Sequence, residues 1–187
     1  MGYVFRCCAA LGAVLLAACA GLAPQRAAET APAFELAGRI VARYQDRAFT
    51  SALRWKQSAA SDEIWLTAPL GQTIAYLRAD GDGATLIAAD QRQIRAGSIE
   101  SLTQSAFGWR FPVAGMRYWV LGQPAPGMML AAVERDDADR ITRLKQDDWQ
   151  IAFNYAEPAA VRPSRLEMAG ADAEIRLVID GLTLQQP

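Results

Sequence analysis

Along most of this chain apolar and polar residues alternate singly, the period of a β-strand with one face buried. Phe34, Leu36, Ile40 and Ala42 fall on one face of a first strand, and Phe49, Ser51, Leu53 and Trp55 on one face of a second. Ile64, Leu66 and Ala68 form a third, and residues 72–79 a fourth, with Ile74 and Tyr76 opposed to Ala75 and Leu77. Runs at 84–89 and 92–96 follow, and the period returns at 129–135, 140–146, 149–156, 164–169 and 173–180. In the run 149–156, Trp149, Ile151, Phe153 and Tyr155 share one face. Turn residues divide the runs, among them Pro69 and Gly71 and the sequence Asp80-Gly81-Asp82-Gly83. The pattern predicts about eleven short antiparallel strands, in a barrel or a sandwich.

The middle of the chain changes period. Ser98 is a good N-cap, Ile99, Leu102 and Ala106 recur at helical spacing, and Gly108 is a stop. Pro112 opens a second helical stretch carrying Val113, Met116 and Val120, ending at Gly122, with Arg117 expected on its outer side. Both segments carry aromatic residues: Phe107, Trp109, Phe111 and Trp119. An antiparallel sheet curled around an incompletely filled interior, with this insert as a lid, would enclose an apolar cavity able to admit a long apolar guest. Trp55, Trp149, Phe153 and Tyr155 fall on inward strand faces and, with Trp119, are the candidates to line or border that cavity. Core packing is the alternative for any one of these rings.

Composition narrows the chemistry. The chain has no histidine, which excludes a Ser-His-Asp triad, a Cys-His pair and an imidazole metal site. Carboxylates cluster at Asp80 and Asp82, at Asp136, Asp137 and Asp139, and at Asp147 and Asp148, each in a predicted turn where Asp serves turn geometry. The expectation is therefore a non-enzymatic protein without metal or cofactor. Nineteen basic against twenty acidic residues leave no field to favour nucleic acid.

The N-terminus points to a compartment. A weakly positive start is followed by an apolar run at 9–18, too short to span a bilayer, closing on Leu16-Ala17-Ala18-Cys19. This looks like a bacterial lipobox, with residues 1–18 a signal peptide and Cys19 the acylated first residue of the mature chain. The chain's other cysteines, Cys7 and Cys8, lie in the signal, so Cys19 has no disulfide partner after cleavage. Several acyl chains on one residue hold a protein firmly to a membrane where one does not. Asp after the cysteine retains lipoproteins in the inner membrane of the best-known Gram-negative bacteria, so Ala20 fits outer-membrane sorting. Residues 19–33, Ala- and Pro-rich, read as a tether, and 34–187 as a single domain.

Residues 107–122, FGWRFPVAGMRYWVLG, resemble the most distinctive stretch of the LolB family of outer-membrane lipoproteins. Further matches follow in the family's order. They are Phe34 to Ile40, Ser51 to Trp55, Ala68-Pro69-Leu70-Gly71-Gln72-Thr73, Leu144 to Ile151 with its Gln-x-x-Trp, and Pro163 to Leu166. The resemblance implies an open barrel of eleven antiparallel strands, closed on one side by helices around a hydrophobic cavity. It implies a monomeric, lipid-anchored receptor that takes lipoproteins from the periplasmic chaperone LolA and releases their acyl chains into the outer membrane. It further implies that Leu70, flanked by Pro69 and Gly71 in a protruding loop, is exposed and meets lipid during release. Three features depart from the family pattern. Asp180-Gly181-Leu182-Thr183 lacks a tryptophan often found there, the 136–139 loop is extra, and Trp65 and Trp109 have no counterpart role. A lipoprotein scaffold binding a protein partner through an exposed sheet edge is the alternative function, and a carboxylate-dependent hydrolase the third.

Overall fold

The computed structural model describes residues 31–185. The predicted signal peptide, Cys19, the tether up to residue 30 and the last two residues lie outside them. Eleven strands form one antiparallel sheet in the order β6-β5-β4-β3-β2-β1-β11-β10-β9-β8-β7. The strands are β1 Phe34–Tyr44, β2 Arg47–Gln57, β3 Asp62–Thr67, β4 Thr73–Asp80, β5 Gly83–Ala88 and β6 Gln93–Ala96, then, after the helices, β7 Leu130–Arg135, β8 Ile141–Gln146, β9 Trp149–Asn154, β10 Arg165–Ala169 and β11 Ala173–Leu184. Two meanders, β1–β6 and β7–β11, thus join through β1 and β11. Helices α1 (Ile99–Phe107) and α2 (Val113–Trp119) bridge the free edges β6 and β7. Inward residues of both meanders and of both helices merge into a single core containing Trp55, Leu77, Leu102, Met116, Ile151 and Leu177, so the sheet is curled around the helices.

The helix signals act as their chemistry dictates. Ser98 Oγ accepts the Ser101 N–H at 3.1 Å, and Gly108, at φ +85°, lets its N–H close the last turn on Gln104 O. Glu100 Oε1 accepts the Ala114 N–H at 2.9 Å, tying the start of α2 to the first turn of α1.

Two expectations change. The last strand runs to Leu184 rather than stopping at Asp180, because it pairs with all of β1 across a bulge at Ala37/Gly38. Asp180 is the extra residue of that bulge, and its carboxylate takes the Arg39 guanidinium at 2.7 Å. A Cβ on Gly38 would strike the carbonyl oxygen of Val178, so the bulge needs glycine. Arg117 is the second correction. It does not point outward but pairs with Asp62, whose side chain is 1% exposed at the start of β3. The helix lies inside the curl, so a side that looks solvent-facing on a helical wheel meets the end of the sheet instead.

The acidic clusters are spent on turns. Asp80 Oδ1 accepts the Asp82 N–H, Asp136 Oδ1 accepts from Ala138 and Arg140, and Asp147 Oδ1 accepts from Met129. Arg140, paired with Asp136 at 2.6 Å, also donates to the carbonyls of Glu157, Pro158 and Ala160. This anchors the extra 136–139 loop to the 157–160 loop and holds Asp136 below the usual carboxylate range.

Candidate lipid-binding site

A pocket of about 290 Å³ opens between the inner face of the first meander and the helical insert. The sheet contributes Ile40, Ala42, Ile64, Leu66 and Leu77; the other wall is Thr103 and Ala106 with Phe107, Trp109 and Phe111. Tyr44, Arg47, Ala48 and Phe49 continue the lining along the exposed β1–β2 hairpin. Short and branched side chains on the strands leave this space, and the α1 residues Thr103, Ala106 and Phe107 border it without filling it. The polar residue on its helical wall is internally satisfied: Thr103 Oγ1 donates to Glu100 O at 3.2 Å and accepts the Phe111 N–H at 2.9 Å. That bond pins the 108–112 connection to α1. Trp109 stacks on Tyr44 at 6.5 Å and meets Phe111 edge-on at 5.8 Å. Around the pocket the insert presents rings to this side of the sheet, while Ile99 and Leu102 of α1 are buried in the shared core.

The five rings expected to line a cavity sit elsewhere. None of Trp55, Trp119, Trp149, Phe153 and Tyr155 is in the lining of this pocket. Trp55 is fully buried, edge-on to Phe34 at 5.0 Å, and its Nε1 donates to Asp62 at 2.9 Å. Trp119, also fully buried, donates from Nε1 to Gln146 Oε1 at 2.9 Å; that amide also exchanges two hydrogen bonds with the backbone of Ala125. Trp149 lies 6.4 Å from Trp119 and against Gly170, and Phe153 is buried beside Leu166 in the paired strand. Tyr155 donates from its hydroxyl to Ile141 O at 2.9 Å under the Arg140 guanidinium, and burial pushes its pKa up. Among these five, each buried indole N–H or phenol O–H finds a partner, and the half-buried Trp149 is held by ring packing. Four of the five belong to the closed side of the curl or its floor.

What the sequence reading missed is the other wall. Leu66 and Leu77 were visible as alternating strand residues, and Trp109 as an unassigned ring; their shared cavity follows from where the insert docks. A second depression of about 560 Å³ crosses β1 and β7–β11, but Arg43, Glu134, Arg143, Lys145, Glu167 and Arg176 in its lining make it a poor host for acyl chains.

The Leu70 hairpin lies on the same meander as the pocket. The Ala68 N–H bonds to Gln72 O and the Gly71 N–H to Ala68 O, both at 2.8 Å, with Gly71 at φ +85°. Pro69 and Gly71 so supply the turn, and Leu70 stands 92% exposed at its tip. A leucine in water at a tight turn adds nothing to folding. No helix among the described residues is long and apolar enough to cross a membrane.

The family model described as "Outer membrane lipoprotein LolB" matches residues 32–181. The LolB of Nitrosomonas europaea is 35% identical over 151 residues, covering 79% of this chain and 71% of its own. That of Cupriavidus pinatubonensis is 35% identical over 189 residues and 91% of both chains. Among solved structures, a putative outer membrane lipoprotein-sorting protein domain from Vibrio parahaemolyticus superposes with a TM-score of 0.50 at 12% identity, covering 84% of this chain and 87% of that one. A DUF1329 family protein from Desulfovibrio piger gives 0.52 at 8% identity, with 84% and 88% covered. The two structures speak to the fold alone, whereas the family match and the sequence relatives decide membership: this chain belongs to the LolB family of outer-membrane lipoproteins.

Proposed function

We propose that this chain is a monomeric receptor that takes acylated lipoproteins from the periplasmic chaperone LolA, holds their acyl chains in the pocket beneath α1, and delivers them to the outer membrane through the Leu70 hairpin. The observation that carries this reading is an apolar pocket and an exposed apolar hairpin tip on the same meander. Each methylene moved from water into such a pocket contributes about 0.8 kcal/mol, and the bilayer offers the same gain. Net transfer then depends on the pocket binding less well than lipid does. A volume of about 290 Å³ sits at the lower bound of small-molecule cavities, roughly 300–1,000 Å³. A lipoprotein's chains therefore need α1 and the 108–112 connection to move outward, which costs free energy that release recovers. Trp55, Trp119, Trp149, Phe153 and Tyr155 serve as the rigid wall against which that movement occurs, bordering the guest when the insert lifts. Cys19, acylated, would hold the protein at the membrane.

The test is transfer of a labelled lipoprotein from loaded LolA to this protein and on to vesicles. Leu66→Glu puts a charge in the pocket and should abolish capture. Leu70→Glu should leave capture intact and block insertion. Capture by Leu66→Glu at the wild-type level, or insertion by Leu70→Glu at the wild-type rate, overturns the corresponding half of the proposal.

A further inference from the structure

Lipid release, as proposed, uses the inner face of the first meander and the tip of one hairpin, leaving the outer face of β2–β6 without a role. That face is ordered by register. Arg54, Trp65, Tyr76, Ile87 and Gln93 are successive cross-strand neighbours and form one row; Lys56, Glu63, Arg78, Thr85 and Arg95 form the next, two residues further from the Leu70 tip. Ile74 fills the space between the aromatic row and the tip. Trp65, Tyr76, Ile74 and Ile87 are all half-buried on a face that no helix or second sheet among the described residues covers. The Trp65 and Tyr76 rings lie 5.2 Å apart, with the Arg54 guanidinium 5.7 Å above Trp65. The acid within the basic row is engaged, since Tyr76 Oη donates to Glu63 Oε1 at 2.6 Å. Arg54 and Arg78 pair with Glu35 at 3.6 Å and Asp80 at 3.3 Å, while Lys56 and Arg95 have no acidic partner among the described residues.

We infer that this face is a second membrane-contact surface, in which an aromatic row backed by a basic row seats the protein on anionic phospholipid while the hairpin delivers its cargo. Tryptophan and tyrosine favour the boundary between hydrocarbon and headgroups, and the bases behind them complement lipid phosphate. The hairpin that joins the two strands carrying Trp65 and Tyr76 is the one that presents Leu70, so the surface is continuous with the proposed delivery point. The choice of a bilayer as partner rests on that delivery reading.

The experiment uses the mature chain carrying Cys19→Ala, without cargo, and measures its partition onto vesicles of phosphatidylethanolamine and phosphatidylglycerol. Vesicles in which phosphatidylcholine replaces phosphatidylglycerol are the control. Arg78→Gln with Arg95→Gln should reduce partition onto the anionic vesicles by about thirtyfold, from roughly 1 kcal/mol per base at such a surface, and leave the control unchanged. Trp65→Ser should reduce it by about tenfold on both vesicles, and Trp65→Phe by much less; circular dichroism verifies that each variant is folded. Wild-type partition by both the Trp65→Ser and the double variant overturns the inference. So does a wild-type chain that ignores vesicles but loses affinity for LolA when the same residues change, which would make the face a protein-docking surface. The delivery reading fails separately, through Leu70→Glu, whose readout is cargo insertion and not partition.

Discussion

The two meanders of this sheet are built from the same alternating pattern, yet one is closed and the other open. On the inner face of the second, β7–β11, large rings are fastened by polar handles. Trp119 bonds to Gln146, Gln146 bonds to Ala125, and Tyr155 bonds to Ile141. On the first, β1–β6, the strands present Ile40, Ala42, Ile64, Leu66 and Leu77 to Ala106 and Phe107 of α1 and to Trp109 and Phe111 of the connection after it, and about 290 Å³ stays unfilled. The outer faces differ as well. The second meander carries cross-strand ion pairs, Arg143 with Glu134 and Arg176 with Glu167, whereas the first sets the Trp65 and Tyr76 rings among its ion pairs and adds the bases Lys56 and Arg95, unpaired among the described residues. A charge ladder keeps a sheet face soluble and non-sticky. The lesson is a division between the halves: one is filled and tied by polar handles, the other keeps an apolar pocket and an exposed apolar tip.

The comparison breaks most decisively at Trp119. Trp119→Ala should cost about 3–5 kcal/mol, the usual loss for a buried aromatic, read as a lower urea midpoint. Its binding of a fluorescent fatty-acyl probe, measured where the variant is folded, should stay at the wild-type level. Tighter binding would show that the closed half is a cavity held shut by this ring, and the division would fall. Next comes the joint between the halves. Arg117 on α2 reaches Asp62, which also accepts the Trp55 indole N–H, so one buried carboxylate holds helix and sheet. Arg117→Met leaves that carboxylate without its cation and should cost about 3–5 kcal/mol. Asp62→Asn with Arg117→Met should recover part of the loss, since it removes the buried charge. If the single variant unfolds at the wild-type midpoint, the joint is not structural.

Much of this was legible in the chain. The alternation gave the strands, and Ser98 and Gly108 gave α1 with both its ends, because those signals are local and each has one physical use. The inward direction of Trp55, Ile151 and Phe153 was also readable from period two. Where the pocket lies was not. That depends on which strands the insert covers, a long-range matter that places Trp109 and Phe111 against β1–β4 and Trp119 against β8. A ring's size shows that it needs burial, not whether it fills a space or borders one. Arg117 failed for the same reason: helical spacing names a face but not its neighbour.

A smaller effect sharpens the packed side. A Cβ on Gly115 would come within 2.5 Å of the Trp119 ring, so Gly115→Ala must push the indole off Gln146. Overpacking of this kind costs about 1–3 kcal/mol. The same change in the open half should be nearly silent: Ala106→Val points into unfilled pocket, and should alter acyl-probe affinity more than the unfolding midpoint. Equal losses of stability at the two positions would mean that the halves are equally well packed.

The smallest effect lies on the outer face, at Tyr76. Burial first, and then its hydrogen bond to Glu63, push the phenol from 10 up to about 12. Because the folded state holds the proton more tightly than the unfolded chain does, the stability this gives is complete below about pH 10 and is lost as pH rises to about 12. Tyr76→Phe should therefore lower the unfolding free energy by about 1 kcal/mol at neutral pH. The gap between variant and wild type should then close as the pH is raised through that window. Taking the difference cancels Tyr155, which burial shifts the same way in both proteins. A gap that stays constant to the alkaline end would show that the fold holds the Tyr76 proton no more tightly than the unfolded chain does. The ring itself remains in Tyr76→Phe, so seating on vesicles should survive a change that the fold registers. Trp119→Ala should show the reverse, a fold badly weakened and a lipid surface untouched, and that opposition is what separates a residue placed to meet a membrane from one placed to hold a core.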